Sequence, residues 1–551
     1  MKMQNIHQEY VDETYGEDGL LKTFQVRVPE TFHFAYDIVD RLARLEPDKR
    51  ALVWCNDAGS EKIFTFGQLH VLSEKAANFL SGAGIQKGDM VMLILKRHYE
   101  YWIAMLALHK IGAVAIPATA QLTKKDLVYR FRAAKVKAIL CTADGETADF
   151  VDKAQREVPA MGIKIIARGT RPDWLSFADG VERAESHFPR PLGHSVHDPL
   201  LMYFTSGTTA MPKMVLHDHS YPLGHIITAK HWQCVNPDGL HLTVAETGWA
   251  KASWGKLYGQ WLMEAPIFVY DFDKFDPDKL LGKIEQYGIT TFCAPPTVYR
   301  FFIKEGMAGH DLSSIEHATI AGEALNAEVY NRFVEATGVP LMEGFGQSES
   351  TVMLANLKGM TPKPGSMGRP TPLYKIGLIH ENGEPVQTGE VGEIVVDISQ
   401  GRPAGLFREY YQAPERNAQA CHDGYYHTGD TAWRDEDGYY WYVGRTDDLI
   451  KSSGYRIGPF EIESVLMEHP AVLECAVTGA PDPVRGQVVK ASIVLTSSFT
   501  PSEKLEKELK DYVKRQTAPY KYPRIIEFMK ELPKTTSGKI RRVEIREKDS
   551  K

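Results

Sequence analysis

Two hydrophobic periods alternate along this chain. From Phe66-Gly67-Gln68-Leu69 onward, apolar residues recur at helical spacing, which predicts a helix opening there. Residues 90–95 form a short, fully apolar run and read as a strand. Residues 99–111 return to the helical period and stop at Gly112. A further strand is expected over residues 113–116, closed by Pro117. Strands that are apolar throughout, rather than alternating, belong to parallel sheets covered on both faces by helices. The same rhythm recurs at residues 136–140, 162–167 and 289–293, so the main body is expected to be α/β.

The texture changes twice further on. Between Pro370 and Val396, short apolar runs are separated by the turns Glu381-Asn382-Gly383 and Gln387-Thr388-Gly389, which predict an antiparallel, barrel-like subdomain. After Arg445 a compact βα pattern runs to the end of the chain, and a domain boundary is expected near Asp447-Asp448.

Composition narrows the class. At 551 residues the chain exceeds what one core organises, and its 43% hydrophobic and 25% charged residues are those of an ordinary globular protein. A formal charge of -7 argues against a general nucleic-acid binder. The six cysteines form no CxxC pair, so neither zinc nor a disulfide framework is indicated and a reducing compartment fits. Residues 102–118, the most apolar stretch, are interrupted by His109 and Lys110, so no membrane span is expected. Residues 1–19 carry Glu9, Asp12, Glu13, Glu17 and Asp18 without an apolar core. That is unlike a secretory signal and too acidic for a mitochondrial transit peptide, so a cytoplasmic location is the expectation.

Four segments carry candidate chemistry. The strongest is residues 203–213, where Thr205, Ser206, Gly207, Thr208 and Thr209 follow an apolar strand and Lys213 closes the loop. Hydroxyls and backbone N–H groups around a glycine suit a polyphosphate, although a plain Ser/Thr-rich turn has the same composition. Pro212 before the lysine and Met214 after it exclude a Walker A loop. The second segment is Gly344-Phe345-Gly346-Gln347-Ser348-Glu349, where glycines allow close approach of a nucleotide and Glu349 is a candidate Mg²⁺ ligand. The third pairs Asp430 with Arg445, an acid and a base suited to a ribose. The last is the basic loop of residues 533–542, which could deliver Lys539 to a phosphate or carboxylate. A solvated tail would read the same way.

In their order and spacing these segments resemble the adenylate-forming (AMP-binding) superfamily of acyl-CoA synthetases, luciferases and non-ribosomal adenylation domains. The likeness runs from Phe66 to Arg542. It is nearest to the medium-chain acyl-CoA synthetases, through residues 204–208, Ala321-Gly322-Glu323-Ala324-Leu325, Gly454-Tyr455-Arg456-Ile457-Gly458 and residues 518–523. It implies a large N-terminal domain (1–446) of two helix-covered, largely parallel sheets with a small barrel-like subdomain. A small mobile C-terminal α+β domain (447–551) would swing about a hinge at Asp447.

The resemblance also implies roles. Thr205 to Lys213 would embrace the ATP phosphates, Gly322, Glu323 and Ala324 would lie against adenine, and Ser348 would contact the α-phosphate. Glu349 would hold Mg²⁺, Asp430 the ribose with Arg445 as its partner, and Lys539 would bridge carboxylate and α-phosphate. Ser453, Gly454, Tyr455 and Arg456 would help admit coenzyme A. Two departures, Ala210 for glycine and Ser348 for threonine, add a methyl group and keep a hydroxyl donor respectively.

The acyl pocket maps to Trp232, Lys251, Trp254, Cys293 and Gly346. Acetate-specific relatives carry tryptophan where Gly346 stands, so glycine is expected to open the pocket. The two tryptophans would wall it for short, branched or small aromatic acids. Lys251 either caps its floor or points outward. The expected reaction joins a short branched to medium-chain acid to AMP and then to coenzyme A. Loading of a carrier protein and an aryl-CoA ligase activity, such as benzoate-CoA ligase, are the alternatives. A homodimer is the assembly left open.

Overall fold

The computed structural model describes residues 4–205, 211–322, 325, 327–452, 455–483, 485–518, 520–534 and 539–549. Two large sheets make up the main body. In the first, the strands lie in the order Glu409–Tyr410, Lys213–Asp218, Pro199–Thr205, Val114–Pro117, Met90–Ile94, Ala138–Cys141, Ile163–Ile166 and Leu175–Ser176. All neighbours from Pro199–Thr205 to Leu175–Ser176 are parallel, and the first two strands close one edge antiparallel. The second sheet runs parallel from Leu341–Phe345 through His317–Ile320, Thr291–Ala294, His241–Thr243 and Ile267–Asp271 to Arg50–Asn56, with antiparallel strands at both edges.

The predicted helix after Thr65 is Phe66–Gly82. Thr65 and Gln68 cap it reciprocally, the Gln68 N–H donating to Thr65 Oγ1 at 3.2 Å and the Thr65 N–H to Gln68 Oε1 at 3.0 Å. The helix Glu100–Ile111 is buried on every side and ends at Gly112, whose φ of 78° only glycine adopts freely. The polar residues that break its apolar run have partners inside the core. Lys110 Nζ donates to both Asp40 oxygens at 2.9 Å, and His109 Nε2 lies 2.9 Å from the Tyr258 hydroxyl. Trp102 Nε1 donates to the carbonyl of Lys256, whose own Nζ donates to Ala245 O at 2.6 Å. Burial, aided by the Arg97 charge, brings the Lys256 ammonium down to about 7 against the opposing pull of Asp271 and Glu246. Among the described residues no helix is long and apolar enough to cross a membrane.

The acidic N-terminal stretch is part of this fold. It forms the hairpin Val11–Tyr15 with Leu21–Val26, and Glu13 pairs with Lys230 and with His231 Nε2 at 2.8 Å. Glu9 and Asp12 pair with Arg41 and Arg27. Their charge therefore serves native contacts and carries no information about the compartment.

The antiparallel subdomain extends beyond its predicted range. Ile376–Ile379, Val391–Asp397, Tyr425–Arg434 and Cys421–His422 form a five-stranded sheet in which Tyr440–Arg445 also pairs with Tyr425–Arg434. A separate C-terminal sheet begins at Ile450, just past Asp447, and packs helices Pro459–Met467 and Glu503–Gln516 over its own apolar core. Phe460 stands edge-on to Tyr442 at 5.9 Å, and Arg542 and Arg546 both engage Asp448.

Candidate active site

The phosphate-loop candidate connects two antiparallel strands. Thr205 ends one strand, Lys213 starts the next, and register pairs the two residues. Ser206, Gly207, Thr208 and Thr209 lie outside the described residues. The neighbouring strand brings Tyr410 opposite Val215, and Lys213 Nζ sits 5.1 Å from the centre of the Tyr410 ring. The Tyr410 hydroxyl donates to Glu349 Oε1 at 2.8 Å, and Glu349 is only 8% exposed. Burial lowers the Lys213 ammonium, and the Glu349 carboxylate opposes that shift. Burial first, then the Glu349 charge, pushes the Tyr410 phenol up, so it stays a proton donor. The turn carrying Ser348 and Glu349 is held at its backbone, with His217 Nε2 2.7 Å from Ser348 O and the Phe407 N–H donating to Glu349 O.

Gln347 ties this cluster to the ribose candidate. Its Nε2 donates to Asp430 Oδ2 and to Thr428 O, and its Oε1 accepts the Tyr426 hydroxyl at 2.6 Å. Asp430 and Arg445 face each other across the antiparallel pair that the sheet builds. Arg445 Nη1 donates to Thr428 O at 2.9 Å and to Asp430 Oδ2 at 3.3 Å, and Tyr442 donates to Asp430 Oδ1 at 3.1 Å. Burial works against the Arg445 charge, but Asp430 and Asp447 outweigh it and raise its pKa. Gly429, at φ 69°, lies under the guanidinium, and a Cβ there would stand 2.6 Å from Nη2. Sequence reasoning missed Tyr410, Tyr442 and His217, since a tyrosine or histidine on a strand carries no local sign of what the next strand presents.

On the acyl side, Trp232, Trp254 and Cys293 are buried in the principal core. The two indoles stand edge-on at 6.2 Å, and Trp232 Nε1 donates to Met342 O at 3.0 Å. Gly344 lies against Trp232 and Gly346 against Trp254. A Cβ at Gly346 would be 2.3 Å from Trp254 Cη2 and 2.5 Å from Thr351 O. The space that glycine leaves at 346 is therefore filled by the Trp254 ring and is not open. Lys251 points toward the predicted adenine segment. It is half-buried and donates to Ala321 O beside Gly322, tying the helix Ala250–Gly255 to the predicted adenine segment. Glu323 and Ala324 lie outside the described residues.

In the C-terminal domain, Tyr455 is exposed and stacks on Tyr520 at 4.2 Å, and Arg456 pairs in register with Lys451. Ser453 and Gly454 lie outside the described residues. Lys539 is exposed and adjoins the bridge that joins Lys534 to Ile540.

Two large, mainly parallel sheets carry these charges, and a smaller domain with its own core follows them in the chain. The AMP-binding enzyme family matches residues 39–411, and the AMP-binding enzyme C-terminal domain matches residues 461–539. The chain belongs to the AMP-binding enzyme family. It is 43% identical to the human mitochondrial acyl-coenzyme A synthetase ACSM5 over 95% of this chain and 91% of that relative. It is 39% identical to mouse mitochondrial ACSM3 over 97% and 93%. Among solved structures, the anthranilate CoA ligase AuaEII in complex with anthranoyl-AMP superposes with a TM-score of 0.86 at 29% identity, covering 95% of this chain and 98% of that one. A benzoate CoA ligase from Burkholderia xenovorans gives 0.82 at 28%, covering 94% and 100%. The expected cytoplasmic location does not stand, because the acyl-coenzyme A synthetases of the ACSM type, matched over more than nine-tenths of their length, are mitochondrial.

Proposed function

We propose that this acyl-coenzyme A synthetase takes short branched to medium-chain carboxylic acids. The acid carboxylate attacks the α-phosphorus of ATP and pyrophosphate leaves. The thiolate of coenzyme A then attacks the acyl carbon and AMP leaves. The observation that carries the acid class is Trp254 lying over Gly346, which shortens the space behind the reacting carbon.

In this reading the hairpin loop from Thr205 to Lys213 holds the phosphates. Ser348 donates to the α-phosphate, and Asp430 accepts from the ribose while Arg445 and Tyr442 hold it in place. Lys539 approaches the carboxylate for the first step only, and rotation about Asp447 withdraws it before the loop Ser453-Gly454-Tyr455-Arg456 helps admit the thiol. Glu349 fits Mg²⁺, which typically binds through one or two carboxylates and substrate phosphates, and Tyr410 orients that carboxylate. The ion would neutralise phosphate charge during the displacement.

Small aromatic acids form a second reading, favoured by the two indole walls and by the anthranilate and benzoate ligases among the structural neighbours. Acids from acetate to decanoate, with 2-methylbutyrate and benzoate, should be offered with ATP and Mg²⁺, and acyl-CoA measured by mass. A maximum on a branched or medium-chain acid supports the proposal, and a maximum on benzoate supports the second reading. Adenylation that coenzyme A does not accelerate would turn the assignment toward carrier-protein loading.

A further inference from the structure

Three histidines outside the proposed chemistry meet where three chain segments join. His33 precedes the helical segment Ala35–Val39, His194 lies ahead of the strand Pro199–Thr205, and His219 follows the strand Lys213–Asp218. Their ring centres are 4.7 Å (33 to 194), 4.9 Å (33 to 219) and 4.4 Å (194 to 219) apart. One ring nitrogen from each lies within 4.8 Å of one from each of the others. His33 and His219 are 1% exposed, and the His194 side chain is 7% exposed.

Hydrogen bonding decides which nitrogens of His33 and His194 carry the proton. His33 Nε2 is 2.9 Å from His109 O, and His194 Nε2 is 2.8 Å from Phe32 O. A carbonyl can only accept, so both Nε2 atoms carry the proton and both Nδ1 atoms, in the neutral ring, present a lone pair. His33 Nδ1 has no hydrogen-bond partner among the described residues, and neither ring nitrogen of His219 has one. His194 Nδ1 faces Asp198 Oδ2 at 3.5 Å. Burial, then the neighbouring histidines, holds His33 and His219 well below the ordinary imidazole range, so both rings are neutral ligands at pH 7. Asp198 Oδ2 already pairs with Lys87 at 2.7 Å, whereas the buried lone pairs on His33 and His219 have no partner among the described residues, are costly alone and are what a cation stabilises.

We infer that His33, His194 and His219 bind one divalent transition-metal ion, Zn²⁺ by preference, with Asp198 or water as the fourth ligand. Imidazole nitrogens suit Zn²⁺, and a ligating histidine commonly donates its other N–H to a backbone carbonyl, as His33 and His194 do here. The segments that carry it are already joined, the Val196 N–H donating to Glu30 O and the His219 N–H to Val196 O. The ion is therefore a structural clamp. It locks the N-terminal segment to the base of the hairpin whose other end carries Thr205 and Lys213.

The full-length protein, freed of loosely held metal by gel filtration, should be analysed for metal content. After chelation it should be titrated with Co²⁺ while visible absorption is recorded. About one Zn²⁺ per chain and the strong d–d bands of tetrahedral Co²⁺ are expected, with Zn²⁺ raising Tm. His33→Gln, His194→Gln and His219→Gln should each weaken Co²⁺ binding more than about tenfold. A protein that purifies without metal and gives only weak, octahedral Co²⁺ absorption overturns the inference. So do folded variants that bind Co²⁺ as tightly as the wild type. If no variant folds, the wild-type Co²⁺ spectrum decides by the same criterion.

Discussion

Tyr410 donates its hydroxyl to Glu349 Oε1 at 2.8 Å, across a sequence separation that no local motif records. The bond sets the direction of a buried carboxylate, and the same ring supports Lys213. Hydrogen bonds to a charged group contribute about 1.5–3 kcal/mol, so Tyr410→Phe should lower kcat roughly 10- to 100-fold. Single-turnover adenylation checks this. Unchanged adenylation would show that Glu349 needs no orientation.

Asp430 is held at both carboxylate oxygens, by Tyr442 at Oδ1 and by Gln347 and Arg445 at Oδ2. Asp430→Asn keeps the shape and removes the charge. It should raise the KM for ATP about tenfold or more and leave the KM for the acid nearly unchanged.

Trp254 and Gly346 share one volume. Gly346→Ala would push a methyl group against the Thr351 carbonyl, which cannot swing aside, and against the indole. The variant should lose its larger acids first and melt at a lower temperature. Trp254→Leu should move the optimum toward longer acids. About 1–3 kcal/mol per methylene makes that shift readable in kcat/KM across an acid series.

Lys256, brought to about 7 by burial, predicts a pH dependence of stability. A lysine in the unfolded chain stays protonated to about 10.4, so between about 7 and 10.4 the unfolded state binds more protons than the native one. Stability should therefore rise with pH through that window and be lower below it. Melting temperatures of the wild type and Lys256→Met, compared across that window, should show a steeper rise in the wild type. Equal slopes would mean that Lys256 keeps its charge.

Much of the fold was legible in periodicity. The strand Met90–Ile94 and the helix Glu100–Ile111 follow from apolar runs, and Gly112 marks the stop because its φ is positive. The antiparallel subdomain was read only from its Asn-Gly and Thr-Gly turns. Its partners Tyr425–Arg434 and Tyr440–Arg445 escaped because register across distant strands is set by packing. The pairing of Asp430 with Arg445 was legible from residue type. Lys251 was not, because its direction depends on the Ala321 carbonyl, which only the tertiary fold brings near.

The central claim is that Lys539 serves adenylation and leaves before the thiol arrives. The most direct test offers Lys539→Ala two substrates, acid with ATP, and a preformed acyl-adenylate with coenzyme A. Loss of pyrophosphate release by about a hundredfold or more, with thioester formation from the adenylate retained, is the predicted result. Equal loss of both half-reactions, or of neither, would contradict it.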